Sequence, residues 1–127
     1  MKQSLLNEFV IIKSDKTTNV EKADAGLYDR LETDYGGFKG CEMVSCFEFK
    51  EDWSTWEMHP NGEEVIVLLS GSVQLILETQ QGNKSIHLSE QGAFAIIPKN
   101  TWHTAKTNTP SRLLFITSGE GTQNKNV

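Results

Sequence analysis

Residues 53–71 read WSTWEMHPNGEEVIVLLSG, and residues 92–103, GAFAIIPKNTWH, follow the same logic. Each sets a histidine near a proline-containing turn that adjoins a β-rich apolar run. Glu57 and His59 are separated by one residue, so on an extended strand their side chains share a face. Pro60-Asn61-Gly62 then turns the chain and Glu64 opens the next strand, which reads as an antiparallel hairpin with three polar groups at its mouth. In the second stretch Pro98-Lys99-Asn100 makes the turn, and His103 begins a strand that returns past the first hairpin. Two such hairpins facing one interior are expected to bring Glu57, His59, Glu64 and His103 to one point.

The surrounding sequence supports a shell of strands. From Cys41 the chain alternates with period two, placing Cys41, Met43, Ser45, Phe47 and Phe49 on one face. Strands are expected at Glu64 to Ser70, Val73 to Thr79, Lys84 to Leu88, Ala93 to Ile97, Trp102 to Lys106 and Leu113 to Thr117. Turn signals such as Ser70-Gly71, Gln81-Gly82-Asn83 and Asn108-Thr109-Pro110 separate them. Many short strands and little helical periodicity predict an all-β sandwich or jelly-roll barrel. Before them, Phe9 to Ile12 reads as a strand followed by the polar loop SDKTTN. Asp24 to Glu32 reads as a short helix with Asp24 as its cap, because Leu27 and Leu31 lie one turn apart. Tyr35 to Gly40, YGGFKG, lacks the spacing of a phosphate cradle and reads as a turn.

At 127 residues the chain is expected to form one domain with one core. Strands and a helix occupy 1–50, the barrel 51–118, and a polar tail expected to fray 119–127. Twelve basic against seventeen acidic residues give a net charge of -5, with no basic stripe, so nucleic acid is not an expected partner. The N-terminal MKQSLLNEFV shows no signal-peptide pattern, and the five-residue apolar run Val65 to Leu69 falls far short of the roughly 20 needed to span a bilayer. A soluble cytoplasmic protein without membrane partners is the expectation. Cys41 and Cys46 lie on one strand with opposite orientation, which predicts free thiols and no disulfide.

Two imidazoles with one or two carboxylates are a donor set for Fe(II), Mn(II), Zn(II), Ni(II) or Co(II) rather than Ca(II) or Cu(I). Burying two carboxylates without a cation would force one of them to keep its proton. The spacing Glu57-x-His59-x4-Glu64-x6-Gly71 resembles the first motif of the cupin superfamily, His-x-His, three or four residues, Glu, six residues, Gly. Gly92-x5-Pro98-x4-His103 resembles the second, Gly-x5-Pro-x-Gly-x2-His-x3-Asn. The likeness is to small single-domain cupins of the conserved-barrel type. It implies a double-stranded β-helix with one divalent transition-metal ion, its ligand positions falling at 57, 59, 64 and 103. The chain departs from the pattern in having Glu57 for the first His, Asn100 for a Gly and Thr107 for the final Asn. Glu57 is thereby either a fourth ligand or a catalytic base.

Against these readings stand plainer ones, in which the histidines are structural and Glu64 caps a turn. His87, between Ile86 and Leu88, is expected on the solvated face, and Trp56 and Trp102 on the outside of the barrel. The lumen is expected to take Met43, Ser45, Phe47, Ile66 and Leu68 from the earlier strands. Later strands add Val73, Leu75, Phe94, Ile96, Ala105 and Phe115. Such a cavity suits a small organic molecule. Glu64 to Leu69 is apolar on both faces, so its outer face needs a cover, either the N-terminal strands or a second subunit, and a homodimer is predicted. The implied function is that of a metalloenzyme acting on a small oxygenated metabolite by dioxygenase- or isomerase-like chemistry. Alternatives are a non-catalytic small-molecule or metal-sensing module and a metal-free barrel.

Overall fold

The computed structural model describes residues 2–127, and among them the backbone forms eleven strands and one helix. One sheet holds six strands in the order β2 (Thr18–Lys22), β1 (Glu8–Ile12), β3 (Glu42–Phe49), β10 (Ser111–Thr117), β5 (Glu64–Ser70) and β8 (Phe94–Ile97). The other holds β11 (Gln123–Asn126), β4 (Thr55–Met58), β9 (His103–Lys106), β6 (Val73–Thr79) and β7 (Gly82–Leu88). The pairings are antiparallel, and the two sheets face each other as the jelly roll that the strand spacing predicts, the double-stranded β-helix that the cupin resemblance implies.

The hairpin predicted across Pro60-Asn61-Gly62 does not form. β4 pairs with β9 and β11, whereas β5 pairs with β10 and β8, so this turn carries the chain from one sheet to the other. Pro98 to Trp102 does the same between β8 and β9. These two crossings lie side by side, since Asn100 N–H donates to the His59 carbonyl at 3.1 Å. Asn100 takes φ of 59°, the left-handed turn position that Asn tolerates. Crossing between sheets, rather than folding back within one, is what aims both turns at the interior.

The interior is solid at one end and hollow at the other. Ile66, Leu68, Val73, Leu75, Ala105 and Leu113 are wholly buried and close the barrel between the sheets. Met43, Ser45, Phe47 and Phe115 instead line a cavity of about 780 Å³. Phe94 and Ile96, expected inside, lie outside and are 63% and 45% exposed. The β5–β8 register sets Ile66 against Ala95 and Val67 against Phe94, so Ala95 and Ile97 take the inner face. AFAII is apolar at both parities, and only the pairing partner can phase it.

In the segment 2–40 the strands β1 and β2 extend the sheet edge, and the helix that follows them packs on the face that Phe9, Ile11 and Met43 present. β1 pairs with β3 and β2 with β1, and β2 falls in part of the stretch read as a polar loop. The helix α1 spans Leu27–Asp34, later than expected, and Asp24 is not its cap. Asp24 accepts from Gly26 N–H and from Arg30 Nη1, and Arg30 also donates to Glu21 Oε1 at 2.8 Å and to the Lys22 carbonyl. These bonds moor α1 to β2 while Leu27 and Leu31 pack on Phe9, Ile11, Phe38 and Met43. Tyr35 to Gly40 is a turn, with Gly36, Gly37, Phe38 and Gly40 at positive φ. The tail expected to fray forms β11, which pairs with β4 from Gln123 to Asn126. Both cysteines are buried and free.

Candidate metal centre

Glu57, His59, Glu64 and His103 meet at the inner end of the cavity. β4 carries Glu57 in register with His103 of β9, directly across the ladder. His59 follows on the same face as Glu57, and Glu64 enters from β5 in the opposite sheet. His59, Glu64 and His103 are 5%, 2% and 0% exposed. Glu57 is half-buried. The ligand atoms of Glu57, His59 and His103 lie within 4.8 Å of one another, forming a possible metal-binding group. Glu64 touches both imidazoles, with Oε1 3.0 Å from His103 Nε2 and Oε2 3.4 Å from His59 Nε2.

Counting protons on these contacts defines the ring states. The Thr101 carbonyl can only accept, so at 3.0 Å from His103 Nδ1 it takes that nitrogen's proton. Thr122 has one hydroxyl proton, which goes to the Gly119 carbonyl at 2.9 Å, leaving Oγ1 to accept from His59 Nδ1–H at 2.8 Å. Both neutral rings would then present bare Nε2 lone pairs to the carboxylates. Thr117 Oγ1 donates to Glu64 Oε2 at 2.6 Å and cannot relieve the other oxygen. His59 Nε2 is the buried side-chain atom left without a hydrogen-bond partner among the described residues. Lone pair against carboxylate at 3.0 Å is repulsive unless a proton or a cation stands between them. Two inward imidazole nitrogens and two carboxylates are a donor set that fits a divalent transition-metal ion.

The electrostatics agree. Burial, and then the charge of Glu64, push the Glu57 carboxyl above its ordinary value. Burial also works to raise Glu64, but the His103 and His59 imidazoles beside its two oxygens outweigh it and bring the group down to about 2. Burial lowers His103, and its bond to Glu64 more than reverses that, leaving the imidazole above its ordinary value. Both shifts favour the protonated forms of Glu57 and His103 where no cation is bound, and a metal would compete with those protons.

All four residues singled out by motif spacing converge. Three others that position them were not visible in the sequence: Thr117, the Thr101 carbonyl, and Thr122. Thr122 lies in the tail read as frayed, and it reaches His59 because β11 sets Gln123 against Met58. No sequence signal marks a lone threonine as a partner of a histidine 63 positions away. His87 is exposed, as expected, with Nε2 2.9 Å from Ser72 Oγ. Trp56 and Trp102 turn away from the cavity and stack beneath Lys125 Nζ, at 5.7 and 4.4 Å from the ring centres.

Above this centre the cavity wall is aromatic. Phe47 meets Phe9 and Phe115 with ring centres 5.2 and 5.9 Å apart, and Trp53 meets Phe115 and Phe49, each at 5.9 Å. Tyr28 and Leu31 of α1 and Phe38 of the following turn border the mouth.

Comparison with known proteins bears on the fold. A cupin-2 domain-containing protein from Shewanella frigidimarina superposes with a TM-score of 0.51 at 18% identity, covering 60% of this chain and 69% of its own. Hydroquinone 1,2-dioxygenase from Sphingomonas sp. TTNP3, solved with 4-hydroxybenzoate bound, gives 0.51 at 15% identity over 60% of this chain and 59% of its own. The hydroxypropylphosphonic acid epoxidase of S. wedmorenis gives 0.52 at 14% identity over 60% of this chain and 42% of its own. No curated protein sequence matches. At these identities the likenesses carry the fold alone. Residues 43–118, from β3 through both crossing turns to the end of β10, match the family model for the cupin domain, and the chain belongs to that family.

Proposed function

We propose that this cupin binds one divalent transition-metal ion through His59, Glu64 and His103, with Glu57 as a fourth ligand or a base beside it. In this reading it acts on a small oxygenated metabolite in dioxygenase- or isomerase-like chemistry. The observation that carries the proposal is the buried, unpartnered Nε2 of His59, held bare by Thr122 and aimed at two carboxylates and a second imidazole. Such an ion, Fe, Mn, Zn, Ni or Co, would supply Lewis acidity to an oxygen-bearing molecule. The chain's own residues do the rest. Thr117 and Thr101 hold Glu64 and His103 in place, the aromatic wall lines the space above them, and Glu57, its carboxyl raised by burial, stands where it can move a proton.

The same reading takes residues 1–127 as a single unit working as a homodimer in the cytoplasm, without membrane or nucleic-acid partners. The outer face of the six-stranded sheet supports the dimer, because Phe94 and Ile96 are exposed there and nothing within the described residues covers them. Buried free thiols at Cys41 and Cys46 suit a reducing compartment. A second reading, a non-catalytic sensing module, is favoured by Glu57 itself. With both carboxylates ionised a divalent ion is neutralised, which weakens it as a Lewis acid.

Elemental analysis of protein purified without chelator tests the first step, alongside His103→Ala. One equivalent of metal in the parent, lost in the variant, is expected, and a metal-free parent refutes the proposal. Oxygen uptake by the iron-loaded protein with diketones, thiols and catechols then separates the two readings, since tight metal without turnover favours sensing.

A further inference from the structure

The charges around the cavity are of one sign. Among the described residues that line it, the ionisable side chains besides histidine and tyrosine are Glu32, Glu48, Glu57 and Glu64, and no lysine or arginine is present. The nearest guanidinium in the ladder, Arg112, is engaged with Glu48 at 2.6 Å and is not among the lining residues. The apolar surface is supplied by the continuous ring system of Phe47, Phe115, Trp53 and Phe49. A carboxylate or phosphate entering this space would lose its water and meet no counter-charge. A divalent ion at the inner end leaves no surplus positive charge once Glu57 and Glu64 are both ionised. Aromatic faces beside acidic groups instead favour flat apolar rings and ammonium heads, through contact area and cation–π attraction. The neutral groups on the wall, Ser45, Thr55 and Asn124, can serve a hydroxyl or carbonyl. At about 780 Å³ the space holds a one- or two-ring molecule.

We propose that the cavity takes a flat apolar molecule that is uncharged or carries an ammonium group, and discriminates against carboxylates and phosphates. This deepens the reading of the same site as a small-molecule cavity, and names the class of its occupant.

Calorimetric titration of the full chain with three ring-matched probes, benzyl alcohol, benzyltrimethylammonium and phenylacetate, tests it in low-salt buffer. The titrations are made on metal-free protein and on protein loaded with Co(II). The first two probes are expected to bind at least tenfold more tightly than phenylacetate in both forms. Phe47→Ala should weaken both at least fivefold, with circular dichroism melts checking the fold. If that variant does not fold, Glu32→Lys at the exposed mouth replaces it, and should bring phenylacetate closer to the other two. Phenylacetate binding as tightly as the others in either form, or no binding of any probe, overturns the inference. So does a folded Phe47→Ala with unchanged affinities, or an unchanged order in Glu32→Lys where that variant is used. Protein that takes up no metal yet keeps the probe order refutes the metal reading and supports this one. Metal uptake with phenylacetate preferred does the reverse.

Discussion

Replacing Thr122 by Val keeps the shape of the side chain and removes the one oxygen that accepts from His59 Nδ1. The ring is 5% exposed, so the abandoned N–H would cost about 1–3 kcal/mol if it stayed where it is. Transfer of the proton to Nε2 avoids that cost, because Glu64 Oε2 is 3.4 Å away and can approach as an acceptor. That choice closes the lone pair a metal needs. Loss of a partner behind a metal-binding histidine typically weakens the site about 10- to 100-fold, or roughly 1.4–2.8 kcal/mol. Titration with Co(II) by calorimetry should show that loss in Thr122→Val and near-complete recovery in Thr122→Ser, which restores the hydroxyl. Long-range proton–nitrogen correlation spectra of the metal-free proteins should move the His59 proton from Nδ1 to Nε2 in the valine variant alone. Equal Co(II) affinity in parent and Thr122→Val, or an unchanged tautomer, would refute the reasoning.

Three further expectations concern Glu64, Gly71 and the exposed pair Phe94 and Ile96. In metal-free protein Glu64, at about 2 rather than 4.5, contributes stability that is present above pH 4.5 and lost as pH falls toward 2, worth about 3 kcal/mol. His103, raised above 6.5, contributes stability that is complete below pH 6.5 and lost as pH rises through its folded value. Glu57, also raised, acts in the same sense as His103. Denaturant unfolding across pH should show the acid-side loss in the parent and not in Glu64→Gln, and matching acid slopes would count against it. Gly71→Ala forces φ of 88° on a residue with a side chain and drives its Cβ into Ser111 and the Pro110 carbonyl. A loss of about 2 kcal/mol or more is expected, a fall in Tm of roughly 6–12 °C by thermal scan. Phe94→Glu with Ile96→Glu should convert a dimer to monomers by light scattering while changing intrinsic stability by less than about 0.5 kcal/mol. A parent already monomeric at micromolar concentration removes the dimer from the proposal.

Strand positions were legible because period-two alternation and turn residues are local signals. Glu64–Ser70 and Val73–Thr79 fall where the pattern places them, and neighbouring strands differ from it by a residue or two at their ends. β2 and β11 were not legible, since TNVEK and QNKN carry no apolar alternation. Such segments become strands because an unpaired edge is available to them, and that depends on the neighbour rather than on the residues. AFAII was located but wrongly phased for a related reason: its apolar residues are consistent with either face until β5 pairs with it.

For the candidate centre, the order and spacing of Glu57, His59, Glu64 and His103 were enough to group them, because a one-residue gap on a strand and a glycine or proline at a turn have consequences within a few residues. What joined them was tertiary. Two turns expected to close hairpins instead cross between sheets, and the tail threonine that orients His59 comes from 63 positions along the chain. The sequence by itself determined the shell of strands and the four polar groups assigned to its interior. Only the packed structure decided which face Phe94 and Ile96 take, that no cation lines the cavity among the described residues, and which ring nitrogens are left bare. Those outcomes depend on pairing register and on groups brought close across the barrel, and neither is encoded in any short stretch of residues.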